Sequence, residues 1–256
     1  MIIPPLLNNV VIEQPYPLLF ATISGAHLYG FASPDSDFDL RGVHVLPVDE
    51  VIGLDYGLET IENTDFREGS EIDLVTHDLK KFVKLMLKNN GYVLEQLFSP
   101  LVVQTSESHS TLKEIGKKCV TVHHFHHYLG FADSQWRLFN KENPPRVKPL
   151  LYVFRVLMTG IHLMRTGEIE ANLLTLNKEQ KLSFIDELIH KKLSTSEHTT
   201  ISNADLQIYS RQFDLLRHSL EEEAEASTLP KVCHAKAELN EFLKTVRLQN
   251  SKVVKL

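Results

Sequence analysis

Apolar and polar positions divide the chain into a strand-rich first part and a helix-rich remainder. Pro17-Leu18-Leu19-Phe20-Ala21-Thr22-Ile23 is an apolar run of strand length, the pattern of a strand covered on both faces. Residues 38–45 begin in alternation, Phe38 and Leu40 facing one way and Asp39 and Arg41 the other, and Ser70-Glu71-Ile72-Asp73-Leu74-Val75 repeats the pattern. Residues 56–63 carry a weaker strand signal. Leu79, Phe82, Val83, Leu85 and Met86 recur at helical spacing, with Asp78 where a cap belongs and Asn89-Asn90-Gly91 as the stop. After Pro100 the pattern predicts helices over 113–139, 148–166, 178–193, 204–226 and 232–248. They are separated by Asn143-Pro144-Pro145, Gly167, a polar stretch over 194–202, and Pro230. The expected class is α+β: a small mixed-sheet module over residues 1–105, then a helical module over 106–256.

Chemistry concentrates between the first two strands. Ser24-Gly25 ends the apolar run and Ala26-His27-Leu28-Tyr29 opens a helical turn, whose unpaired backbone N–H groups suit phosphate. Asp37 and Asp39 then project together from an extended segment. Carboxylates so close repel each other and are readily held ionised by a hard cation such as Mg2+. An Asp-x-Asp alone also marks many turns, and Asp35 carries turn chemistry only. The Gly25 turn before the pair and Leu40-Arg41 after it turn the reading into a metal site, and Arg41 can brace Asp39 by a charge-assisted pair. Asp73, on the second alternating segment, adds a third carboxylate; Glu71, on the same face, is the fallback.

Ser24-Gly25-Ala26-His27-Leu28-Tyr29-Gly30, with Ser33-Pro34-Asp35-Ser36-Asp37-Phe38-Asp39-Leu40-Arg41-Gly42-Val43, resembles the DNA polymerase β-type nucleotidyltransferase superfamily. Within it, the sequence is most similar to the RlaP-like predicted nucleotidyltransferases linked to RNA repair. The likeness extends through Tyr128-Leu129-Gly130-Phe131-Ala132 and Lys148-Pro149-Leu150-Leu151-Tyr152-Val153-Phe154-Arg155, covering roughly residues 18–180. It implies a polymerase β-type catalytic module that moves a nucleoside monophosphate from an NTP to a hydroxyl, with an RNA 3′ end as acceptor. It also implies two Mg2+ ions, replaceable by Mn2+, on Asp37, Asp39 and Asp73. Nucleotide contacts would come from Ser24, Gly25, Ala26, Tyr29 and Arg41, and, by the habit of the superfamily's helical modules, from Lys148 and Arg155. AMP transfer to a protein acceptor and a catalytically silent nucleotide sensor are the alternatives. Ala26 is a departure, because the superfamily usually has Gly-Ser or Gly-Gly where this chain has Gly25-Ala26.

Composition narrows the partners. A net charge of −6 over 256 residues argues against a broad non-specific grip on long nucleic acid. Lys80, Lys84 and Lys88, with Lys81, read as the solvated face of a helix. No apolar run reaches the ~20 residues needed to span a bilayer and no leader pattern opens the chain, so a cytoplasmic protein without a membrane partner is expected. Cys119 and Cys233 are far apart and read as free thiols. His123-His124-Phe125-His126-His127 tempts a metal reading, but packing or surface histidines are favoured because no acidic or cysteine partner sits at a ligand spacing. The base, the acceptor and the oligomeric state are not legible.

Overall fold

The computed structural model describes residues 3–194 and 200–251; of the polar stretch expected over 194–202, residues 195–199 lie outside these. The chain begins with α1 (Leu6–Ile12), β1 (Leu18–Ile23), the five-residue helix α2 (Gly25–Tyr29), β2 (Phe38–His44) and the single turn α3 (Asp49–Ile52). The hairpin of β3 (Thr60–Arg67) and β4 (Ser70–Asp78) follows, then α4 (Leu79–Met86), α5 (Gly91–Phe98), β5 (Val102–Gln104) and α6 (Glu107–Lys117). Helices α7 (His124–Phe139), α8 (Val147–Thr166), α9 (Leu173–Gln180), α10 (Ser183–Ser194), α11 (Asn203–Ala226) and α12 (Lys236–Ser251) complete it. The strands lie in the order β3-β4-β2-β1-β5, with β2 and β4 parallel and the other pairs antiparallel, a mixed sheet in an α+β protein.

The parallel ladder positions the site. It runs unshifted from Phe38↔Ile72 to His44↔Asp78, setting Asp39 opposite Asp73 and Leu40 opposite Leu74. Leu40, Ile72 and Leu74 are fully buried in one core with Ala21, Ile23 and, from α1, Leu7 and Val10. Each such side chain contributes about 1.5–3 kcal/mol through burial, and because strand side chains alternate, this register turns Asp39, Arg41 and Asp73 to the other face. On that other face Phe20 meets Phe82 of α4 edge-on and stacks on His109 of α6.

Several elements depart from expectation for local reasons. Glu68 and Gly69 are both left-handed (φ 50° and 81°), and their two-residue turn pairs Arg67 with Ser70, which moves β3 to Thr60–Arg67. Tyr56 instead leaves the sheet and donates to Asp78. β4 continues to Asp78, whose carboxylate accepts from the Lys80 N–H and caps α4. Asn90 then caps α5, a helix the periodicity did not show. The helix expected over 113–139 is two, α6 and α7, parted by a turn in which the Thr121 N–H donates to His124 Nδ1 at 3.2 Å. The one over 178–193 breaks at the left-handed Lys181 (φ 54°). β5, α1 and α3 carried no signal strong enough to predict.

Two compact units divide the chain differently from the expected split at 105. The first takes the described residues up to 28, 35–120 and those from 232; the second takes 29–34 and 121–231. In the first unit α12 returns to the sheet, because Arg247 donates to the Leu46 carbonyl and to Asp78, both at 2.7 Å, and Lys118 pairs with Glu238 at 2.8 Å. Cys119 and Cys233 also meet there within hydrogen-bonding reach, both free; burial, then the neighbouring thiol, push the Cys119 pKa up. In the second unit α8 is the central helix, stopped by Gly167 in the left-handed region (φ 76°). It is long and apolar enough to cross a bilayer, contrary to the sequence reading, but 78% of its most apolar window is buried inside the protein.

Candidate active site

Gly25 brings the chain closest to the carboxylates. Its φ is +59°, and a Cβ placed on it would stand 1.7 Å from Asp39 Oδ2, so only glycine fits beside that side chain. The Ser24 N–H donates to the Asp39 carbonyl at 2.8 Å, carrying the β1–β2 pairing one step past Ile23↔Leu40. The Ser24 hydroxyl is fully buried and has no hydrogen-bond partner among the described residues. Ala26, beside it, is also buried.

Arg41 organises the carboxylates. Its Nη2 donates to Asp39 Oδ1 at 2.8 Å and to Asp73 Oδ2 at 3.2 Å, and its Nη1 to the carbonyls of Leu40 and Asp73, both at 2.8 Å. Nε donates to the Tyr92 hydroxyl at 3.1 Å. Five contacts use the five N–H groups of a guanidinium. Burial alone would lower the Arg41 pKa, but Tyr92, Asp39 and Asp73 outweigh it and hold the group above its ordinary value. The Asp39 and Asp73 side chains keep 30% and 38% of their surface open against 13% for Arg41, so the carboxylates can still be reached from solvent. Thr64 of the neighbouring strand donates to Asp73 Oδ1 at 3.4 Å.

Asp37 stands one residue before β2 and is exposed, two positions ahead of Asp39. Among the described residues no three His, Cys, Asp or Glu side chains are gathered to hold a metal ion. Asp39 and Asp73 nonetheless fit a divalent cation in kind: both are hard oxygen donors, set in register, with Asp39 Oδ2 against the one residue that has no Cβ. Glu71, the fallback carboxylate, is exposed two positions before Asp73 on β4.

In the second unit, Arg155 is only 2% exposed, with its guanidinium 4.0 Å over the Tyr29 ring. Tyr29 is buried too and meets Tyr152 edge-on. Lys148, in the first turn of α8, is half-buried. In the histidine run at 123–127, His124 is fully buried, and burial lowers its pKa to about 4, while His123 and His126 are exposed. Two contacts, one in each unit, escaped the sequence reading. Tyr92 lies 51 residues beyond Arg41 on a helix that periodicity did not show. Lys192, buried in the last turn of α10, donates to Ser33 Oγ at 2.7 Å within the motif segment, yet in sequence it looks like one of a solvated lysine pair.

Two relatives share sequence over 164 residues, and both are described only as uncharacterized. Protein MJ0002 of Methanocaldococcus jannaschii is 32% identical, over 64% of this chain and 66% of its own length. Protein YcgL of Bacillus subtilis is 25% identical, over 62% and 61%. The match thus spans just under two thirds of each relative. A solved nucleotidyltransferase-like protein from Exiguobacterium sibiricum aligns over 96% of this chain and 86% of its own, with 11% identity and a TM-score of 0.30, a distant likeness. The model of the RNA repair pathway DNA polymerase beta family, RlaP, matches residues 3–245, and the chain belongs to that family.

Proposed function

We propose that this protein transfers a nucleoside monophosphate from a nucleoside triphosphate to the 3′ hydroxyl of an RNA. One observation carries the reading. Asp39 and Asp73 are partners in the parallel ladder and keep part of their side-chain surface open, and Asp39 abuts the left-handed Gly25 turn, so two reachable carboxylates stand together beside that turn. The family description, with its RNA repair pathway, supports the acceptor. Mg2+ held by Asp39 and Asp73, or Mn2+ in its place, would neutralise phosphate charge and lower the pKa of the attacking hydroxyl. The remaining work falls to the chain. Gly25 leaves room for the Asp39 carboxylate, and Arg41 holds the two carboxylates in one orientation. The acceptor oxygen bonds to the α-phosphorus, its proton leaves, and the bond to the bridging oxygen breaks to release pyrophosphate.

The test incubates the full chain with each labelled NTP, Mg2+, and RNA ending in a 3′ hydroxyl or a 3′ phosphate, alongside total cell protein. Label should enter only RNA with a free 3′ hydroxyl, and Asp39→Ala should remove it. Label on protein instead would change the acceptor class. Triphosphate binding without transfer to any acceptor would make the chain a silent sensor.

A further inference from the structure

We infer that Arg41, aimed by Tyr92, is a positioning residue for the carboxylate pair, so that divalent-ion affinity at this site depends on the shape of the guanidinium and not only on charge. The inference rests on the proposed ion site at Asp39 and Asp73. Simple electrostatics points the opposite way: a cation beside two carboxylates repels an incoming Mg2+, and removing it should tighten binding. The contacts of Arg41 argue otherwise. Nη2 takes one oxygen from each aspartate, at 2.8 and 3.2 Å, which fixes the rotation of both carboxylates. Asp39 Oδ2 is thereby held at the Gly25 turn. Nη1 bonds two backbone carbonyls of β2 and β4, so the guanidinium plane is tied to the ladder. Nε spends its proton on Tyr92, whose own N–H is held by the Asn90 cap of α5 at 3.0 Å. A lysine ammonium carries the same charge but cannot reproduce this planar fork. Groups that orient the ligands of a metal commonly change its affinity 10- to 100-fold when removed.

The experiment measures Mn2+ alone, by calorimetry and by its electron paramagnetic resonance signal, on the full chain and on Asp39→Ala, Arg41→Lys, Arg41→Gln and Tyr92→Phe. Mn2+ should bind the wild type and not Asp39→Ala. Arg41→Lys should weaken it at least tenfold with charge unchanged, Arg41→Gln similarly despite the lost positive charge, and Tyr92→Phe about three- to tenfold. Tyr92→Phe removes one exchangeable contact and no packing volume, so it stays informative should the Arg41 variants fail to fold. If wild type and Asp39→Ala bind alike, or neither binds, the ion-site reading fails and this inference with it. If Asp39→Ala alone loses the ion, while Arg41→Lys and Tyr92→Phe match wild type or Arg41→Gln binds more tightly, the ion site stands and the positioning role is overturned.

Discussion

Two arginine clusters stand on the β2–β4 ladder of the first unit, built from the same parts. At one, Arg41 bonds two aspartates, two backbone carbonyls and the hydroxyl of Tyr92. At the other, Arg247 bonds Asp78 and the Leu46 carbonyl at 2.7 Å and the hydroxyl of Tyr56 at 3.1 Å. Access separates them. Arg247 and Asp78 keep 8% and 0% of their side-chain surface, while Asp39 and Asp73 keep 30% and 38%. A sealed pair fastens elements together, here α12 to the cap of α4, and breaking one side strands a charge in the interior. An open pair adds little cohesion but remains available to a ligand. The same residue types therefore fasten elements at one cluster and stay open to solvent at the other, and exposure tells them apart.

Breaking the sealed cluster should have the largest effect on folding. Arg247→Leu leaves the Asp78 carboxylate buried without its cation, and about 3–5 kcal/mol of stability should disappear in urea unfolding. Asp39→Ala, measured the same way, should change stability by less than about 1 kcal/mol while lowering transfer at least about a hundredfold. Equal destabilisation by the two variants would erase the distinction. Gly25→Val attacks the open cluster through the backbone, since its Cβ would overlap Asp39 Oδ2; triphosphate binding by calorimetry should fall at least about tenfold.

Acid should sharpen the contrast. His44, fully buried among groups that include Asp78 and Arg247, has its pKa lowered by burial, and that of His109 falls to about 4 for the same reason. The folded state keeps these rings neutral whereas the unfolded chain protonates near 6.5. Their contribution is complete above pH 6.5 and is lost as pH falls toward 4, about 1–3 kcal/mol for His109. Melting temperatures between pH 7 and 4.5 should drop, and His109→Gln should flatten the slope. The smallest effect belongs to Ala26→Ser. One added neutral hydrogen bond is worth about 0.5–1.5 kcal/mol, so triphosphate affinity should rise no more than about tenfold.

The strands that carry Asp39 and Asp73, and the glycine beside them, were legible because alternation and turn chemistry are local. Asp37 lies one residue before β2, in the coil after Pro34, where alternation along the strand alone does not fix its direction. Tyr92, Lys192 and Arg247 were invisible, since each acquires its partner only through tertiary packing. Arg247 meets Asp78 across 169 residues, and nothing in the amphipathic pattern of α12 distinguishes it from a solvated arginine. Arg155, expected as a phosphate contact, is buried over the Tyr29 ring, a depth that helical spacing does not report.

The unshifted ladder from Phe38↔Ile72 to His44↔Asp78 ties the fates of both clusters together. Moving β4 by one residue against β2 would turn Asp73 toward the core and carry the α4 cap away from Arg247 in the same step. Insertions within either strand should therefore be lethal twice over. The two-residue turn at Glu68-Gly69 precedes the ladder, and a Cβ on Gly69 would meet nothing within 4 Å, so length changes in this lineage should collect there while the spacing from Asp73 to Asp78 stays constant.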